Sequence, residues 1–321
     1  MDLVEKFEPI IIIFAIILGL IFSKISLIAQ NTDYLITVFL CLMLFGLFLE
    51  IPMNELKNSF KNVKFSLTSL IINFLWTPLF GYFLGTLFLK GNIDILIGFF
   101  MLILTPCTDW YLVFTKLAKG NLTLSLSILP INLILQIVLL PIYLILFFSN
   151  GISLDYPQLA YSLLIVIVIP FIASQIVKFI LKDKLRDKVI NSFGSLQIWF
   201  LSLAVFCIFA SQGKLLYSNL ESIVKIFIPL IIFFTANAII DLLLCEKINF
   251  TYPEYASLTM TTLARNSPLA LAIAINSFPS HELIAMALVI GPLIELPILY
   301  IVSRFCIWIK NSGLFFVCGN C

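Results

Sequence analysis

Charge is the scarcest thing in this sequence. Only 11% of the residues are Asp, Glu, Lys or Arg, while 61% are hydrophobic and the mean hydropathy is +1.12. No soluble core of 321 residues absorbs that much apolar side chain, so the solvent is mostly lipid. A net charge of +2 provides no basic stripe and argues against a nucleic-acid partner. A signal peptide is not expected either. Asp2, Glu5 and Glu8 precede Pro9, the wrong flank for one, and no small-residue cleavage site follows. The first apolar run is therefore expected to remain as a membrane span. There is no H-E-x-x-H, no G-x-S-x-G and no paired-aspartate cluster, and the single histidine, His281, falls in a loop expected to be extracellular. An intramembrane enzyme is thus the least supported class, and no catalytic or metal-binding residue and no cofactor is assigned.

Cysteine pattern is equally uninformative about cross-links. Cys41, Cys107, Cys207, Cys245 and Cys306 each sit alone in an apolar run, where an isolated cysteine is usually a small buried hydrophobe. Cys318 and Cys321 form a C-x-x-C whose spacing suits a metal, a metalloid or a redox couple. With no second pair, it reads first as a tail without function.

What is present is a series of ten apolar runs, each long enough to cross about 30 Å of hydrocarbon. They cover approximately residues 10–29, 35–51, 65–89, 95–117, 122–148, 156–181, 189–210, 223–245, 255–278 and 283–309. The predicted fold is an all-α membrane protein of ten transmembrane helices, a single membrane domain over 1–321 with a short cytoplasmic tail at 311–321. Cations decide the orientation. The loops after even-numbered spans carry Lys57, Lys61, Lys64, Lys116, Lys119, Lys182, Lys184, Arg186, Lys188 and Lys247, and those after odd-numbered spans only Lys90 and Lys214. By the positive-inside rule the even loops and both termini are cytoplasmic, in the cell membrane. Ten spans divide into repeats over about 9–149 and 156–310, and an odd number of spans per half requires the second to be inverted.

Two spans are interrupted at mid-length, and they are the fourth of each half. Span 4 carries Thr105-Pro106-Cys107-Thr108-Asp109, and span 9 carries Arg265-Asn266-Ser267-Pro268. Hydrocarbon cannot hydrogen-bond a broken backbone, so such chain is tolerated only where it lines a protein-enclosed cavity. Paired broken helices in matching halves point to the substrate site of a secondary transporter. The two breaks are therefore expected to cross, around a small-molecule solute.

Asp109 and Arg265 are the expensive residues, since an ionised group at mid-span costs about 2.5–3.5 kcal/mol on insertion scales. If the breaks cross, the opposite charges meet, either as a lock on the crossing or as a switch that opens when Asp109 takes a proton. Glu295, between Pro292 and Pro297 in span 10, is expected to face the interior and to load and unload a proton. Cys107, inside the first break, is a soft ligand for a thiophilic substrate, although most lone membrane cysteines are inert. Ser125, Ser127, Asn132, Gln136, Asn266 and Ser267 supply neutral oxygens that suit Na⁺ or, equally, interhelical hydrogen bonds. Asp241 is expected at the cytoplasmic interface.

At these residues the chain resembles the bile acid:sodium symporter superfamily, and within it the arsenite permease branch. Pro106-Cys107-Thr108 is similar to the Pro-Cys-Thr of those permeases, and Gly291 to Pro297 resembles their tenth-span pattern. The resemblance implies a core domain of spans 3–5 and 8–10 and a panel domain of spans 1, 2, 6 and 7. It also implies alternating access and proton-coupled extrusion. The chain departs from the pattern in reading Ala264-Arg265-Asn266-Ser267-Pro268-Leu269 where the permeases carry a glutamate, and in having Asp109-Trp110 after the Pro-Cys-Thr. The leading expectation is export of arsenite or a related metalloid oxyacid against proton entry. Thr105, Cys107, Thr108, Arg265, Asn266 and Ser267 would bind substrate, Asp109 and Glu295 would couple, and Ser125, Asn132 and Gln136 would line the path. The alternative is a Na⁺- or proton-coupled carrier of a small organic anion clamped by Arg265. The sequence leaves the oligomeric state open.

Overall fold

The computed structural model of the chain describes residues 3–23, 33–51, 61–108, 110–148, 157, 161 and 164–312. Most of these are helical, with no strand among the described residues. In chain order the helices are α1 (Leu3–Phe22), α2 (Asp33–Glu50), α3 (Val63–Phe88), α4 (Ile93–Leu104), α5 (Trp110–Leu117), α6 (Leu122–Phe148), α7 (Leu164–Ile180), α8 (Asp183–Val224), α9 (Phe227–Lys247), α10 (Tyr252–Leu263), α11 (Ser267–Ser277) and α12 (Glu282–Ser312). Among the described residues, five stretches are long and apolar enough to cross a membrane: Val63–Phe88, Leu122–Phe148, Lys184–Ser211, Phe227–Lys247 and Glu282–Ser312. Shorter apolar helices accompany them. Large side chains such as Phe14, Leu75, Phe83, Leu146, Ile231, Leu243 and Ile301 stand exposed on these helices, where lipid and not water is the fitting neighbour. The molecule is a multi-pass membrane protein.

Helix starts follow from capping. Asn62 Oδ1 accepts the Phe65 N–H at 3.1 Å, and Asn92 Oδ1 accepts that of Ile95 at 3.2 Å. At the head of α10 the Glu254 carboxylate accepts the Thr251 N–H at 2.8 Å. Prolines shape the interiors. Pro78 has no N–H to offer the carbonyl of Phe74, the helix passes through one π-turn at Ile72–Trp76, and the freed Phe74 carbonyl accepts the Tyr143 hydroxyl of α6. A second π-turn at Leu164–Val168 precedes Pro170 in α7.

Packing falls into two groups. The most extensive contacts join α8 to α1 and α2, with α7 on α2; α4 packs on α3 and α12, α11 on α12, and α9 on α10. Gly98 permits the close approach of α4 to α12: a Cβ there would lie 2.6 Å from Ala287 Cβ and 2.9 Å from the Ile284 carbonyl oxygen.

Two expectations need adjusting. Residues 211–222, expected as a loop, continue α8 as helix, because a polar segment leaving the apolar zone keeps its backbone bonds unless glycine or proline accumulates. Asp241, expected at an interface, is fully buried.

Candidate functional site

The two interrupted stretches meet. Pro106 and Arg265 form an antiparallel bridge in which the Cys107 N–H donates to the Ala264 carbonyl at 2.9 Å and the Asn266 N–H to the Thr105 carbonyl at 2.6 Å. Each broken helix thus supplies the backbone partners that the other lost, which is what survival away from water requires. Asn266 ties the crossing further. Its Oδ1 caps α11 by accepting the Leu269 N–H at 3.1 Å, while its Nδ2 donates to the Thr108 hydroxyl at 3.1 Å.

Arg265 is 2% exposed and forms no ion pair with any described carboxylate. Its charge is answered by helix ends. Nη1 donates to the carbonyl of Ile103 at 2.8 Å and Nε to that of Leu263 at 3.2 Å, in the last turns of α4 and α10. Both carry the partial negative charge of a helix C-terminus, so one guanidinium closes two dipoles. Its carbon lies 5.1 Å from the Phe233 ring centroid, a cation–π contact, and Nη2 has no partner among the described residues. The Arg265 backbone N–H donates to Glu295 Oε1 at 2.7 Å, which brings α12 to the crossing.

Beside the crossing lies a cavity of about 480 Å³. Cys107, Thr108, Arg265, Asn266, Ser267 and Glu295 all line it, opposite Met43, Leu47 and Glu50 of α2 and Gly194 and Gln197 of α8. Six sequence-selected residues are thereby brought to one space. Thr105 is not among the lining residues: it is fully buried, its hydroxyl directed at the carbonyls of Asn266, Met101 and Leu102. Ser125 bonds Thr115 at 3.3 Å away from the cavity, and the Asn132 and Gln136 amides are buried on α6 with no partner among the described residues. Asp109, Cys318 and Cys321 lie outside the described residues. Among the described residues, none of the other five cysteines is in a disulfide. His281 is part-buried and pairs with Asp94 through Nδ1 at 2.8 Å.

Sequence reasoning passed over Glu50, a carboxylate lining the cavity whose Oε1 occupies the space that a Cβ on Gly194 would need. The available signal was a single acid closing an apolar run.

A profile of the sodium bile acid symporter family matches residues 37–219, more than half of the chain. The chain is 26% identical over 257 residues to the arsenical-resistance protein Acr3 of Corynebacterium glutamicum, covering 75% of this chain and 69% of that protein. It is 25% identical over 282 residues to the Acr3 of Alkaliphilus metalliredigens, covering 82% and 78%. An uncharacterized transporter of Synechocystis is 24% identical over 350 residues, covering 98% and 91%. The profile spans more than half of the chain, and two interrupted helices cross beside one cavity: the chain belongs to the sodium bile acid symporter family of membrane transporters.

Proposed function

We propose that this protein is a secondary active transporter that exports arsenite, or a related metalloid oxyacid, in exchange for protons by alternating access. The observation that carries the reading is the thiol-bearing residue at the crossing: Cys107 lines the cavity together with Thr108, Asn266 and Ser267. A soft sulfur ringed by hydroxyl and amide groups matches a thiophilic centre that carries oxygens. Arsenous acid is uncharged near neutral pH, and the Arg265 charge is largely taken up by the two helix ends, so a neutral solute meets no unbalanced field. Thr105 holds the crossing, and Glu295 or Asp109 cycles the proton. The resistance proteins of Corynebacterium and Alkaliphilus support this choice of solute.

In this reading the chain has ten spans in the cell membrane as two inverted repeats, with both termini cytoplasmic. The group of α1, α2, α7 and α8 is the panel and the remaining helices are the core. The cavity lining at Glu50 and Ile51 then faces the cytoplasm, the side from which an exporter loads. Proteoliposomes under an imposed pH gradient test it. Arsenite flux is expected in the wild type and is expected to fall to background in Cys107→Ala. Undiminished flux in that variant removes the thiol from the mechanism and the metalloid reading with it.

A second reading has a specific observation behind it. The cavity is several times larger than a metalloid oxyacid, Met43, Leu47, Leu129, Ile198 and Leu201 make much of its wall apolar, and Arg265 Nη2 has no partner among the described residues. An organic anion with an apolar body, carried with Na⁺ or protons, fits those features. Flux of a labelled organic acid that vanishes in Arg265→Gln, with no arsenite flux in the wild type, would establish it.

A further inference from the structure

Behind the crossing, away from the cavity lining, α9 carries Phe233, Asn237 and Asp241 at successive turns of one face. The segment opposite, from Thr259 to Arg265, reaches that face at Thr262 and at Arg265. Arg265 stacks on Phe233, and the Thr262 hydroxyl oxygen lies 2.5 Å from Asp241 Oδ2. Asp241 is wholly buried and its Oδ1 has no partner among the described residues. An ionised carboxylate so placed would keep one charged oxygen bare in a medium that solvates it poorly.

The Thr262 hydroxyl makes the protonation state legible. Its oxygen also lies 3.0 Å from the Leu258 carbonyl and 3.2 Å from that of Thr259, so three acceptors surround one hydroxyl hydrogen if Asp241 is ionised. With a proton on Oδ2 the conflict disappears. The carboxylic acid donates to Thr262 Oγ1, and the threonine donates onward to Leu258. Two buried donors without partners among the described residues suit the other state: Asn237 Nδ2, whose own Oδ1 already accepts from Trp76 Nε1 at 2.8 Å, and Arg265 Nη2.

We propose that Asp241 is a proton-exchanging carboxyl, protonated in the arrangement seen here and, when ionised, met by Asn237 and by the Nη2 arm of Arg265. In the step itself the O–H bond at Asp241 breaks, its electron pair stays on the carboxylate, and the proton leaves on water. The Thr262 hydroxyl then turns from Leu258 to Oδ2. Arg265 lines the cavity, so its movement toward Asp241 links the proton to the solute site. The other ionisable groups packed around Asp241 are Tyr255 of α10, Cys306 of α12 and Cys245 of α9, while Lys64 of α3 is engaged with the Ile248 carbonyl past the end of α9. Among the described residues, Arg265 is thus the cation near Asp241 with a buried donor that lacks a partner.

The use of this exchange rests on the proton-coupled reading above, but its existence does not, so the test has two separable arms. Infrared difference spectra of purified protein in lipid nanodiscs, taken across a pH series without solute, are expected to show the C=O stretch of a buried carboxylic acid that disappears as pH rises. The band is expected to be absent in Asp241→Asn and displaced in Thr262→Val. It should persist to higher pH in Arg265→Gln, where the ionised form has lost a partner. The proposal is overturned if no wild-type carboxyl band titrates, if the band survives in Asp241→Asn, or if it responds to Na⁺ at fixed pH. Should Asp241→Asn not fold, the Thr262→Val displacement alone decides the assignment. In the second arm, arsenite flux driven by a pH gradient is expected to be lost in Asp241→Asn while arsenite–arsenite exchange continues. A wild type that shows the band yet moves no arsenite sinks the proposed solute and leaves the carboxyl standing.

Discussion

Arg265 donates from Nη1 to the carbonyl of Ile103 at 2.8 Å, although 162 residues separate the two. The same guanidinium reaches Leu263 through Nε and so closes the C-terminal ends of α4 and α10 together. This explains how an arginine survives at a broken helix without a described carboxylate partner. A lysine has one compact ammonium and no planar fork, so it cannot serve both carbonyls and the Phe233 face at once. Arg265→Lys is therefore expected to lower stability by about 1–3 kcal/mol, the usual cost of leaving a buried polar group unmet. Thermal unfolding in detergent measures it, and an unchanged midpoint would contradict the double-cap role.

Glu295 holds the same residue by its backbone. Its Oε1 accepts the Arg265 N–H at 2.7 Å, which a glutamine oxygen can also do and an alanine cannot. Glu295→Gln is expected to retain the wild-type unfolding midpoint to within about 1 kcal/mol, and Glu295→Ala to lose roughly 1–3 kcal/mol. If Glu295 also cycles a proton, the glutamine variant stays folded yet loses flux driven by a pH gradient. Equal stability loss in both variants would show that charge, not hydrogen bonding, is what the crossing needs.

The breaks were legible because proline and polar side chains inside an apolar run have few explanations in a membrane. Pro106 with Cys107 and Thr108, and Asn266 with Ser267 and Pro268, announced irregular backbone at matching places. The rotation of each helix was not legible. Asn132 and Gln136 share α6 with Thr123, Ser125, Ser127 and Tyr143, and apolar residues make up the rest of it, so the sequence does not say which neighbour each polar group meets; the two amides are buried away from the cavity. Asp241 was misjudged for a related reason. Its distance from the end of a run suggested an interface, but the partner that buries it, Thr262, comes from the following helix, and only tertiary packing brings them to 2.5 Å. Glu50 escaped notice because a lone acid at a run's end is the commonest thing such a run can have.

Cys107 is the one described cysteine among the cavity-lining residues. Cys207, Cys245 and Cys306 are buried elsewhere, and Cys41 is half-buried on α2. In a variant whose other cysteines are replaced by serine or alanine, a small maleimide is expected to label Cys107 in membranes, and arsenite is expected to slow the labelling. Labelling without protection would leave the cavity accessible but separate it from the metalloid.

Pro78 and Tyr143 provide a test of the helix geometry that does not depend on transport. Pro78 lacks the N–H that would have bonded the Phe74 carbonyl, and the Tyr143 hydroxyl of α6 bonds that carbonyl instead. Removing the hydroxyl by Tyr143→Phe leaves a buried carbonyl without its donor. Side-chain hydrogen bonds in membrane helices are worth about 0.6 kcal/mol on average and reach about 1.7, so a loss in that range is expected. Replacing Pro78 with alanine restores an N–H within the helix and makes the tyrosine redundant at that carbonyl. In the Pro78→Ala background Tyr143→Phe is thus expected to cost markedly less than in the wild type. Unfolding midpoints of the four proteins in the cycle give the coupling directly. Additive effects would mean that the tyrosine does not answer the vacancy left by the proline, and the π-turn at Ile72–Trp76 would need another cause.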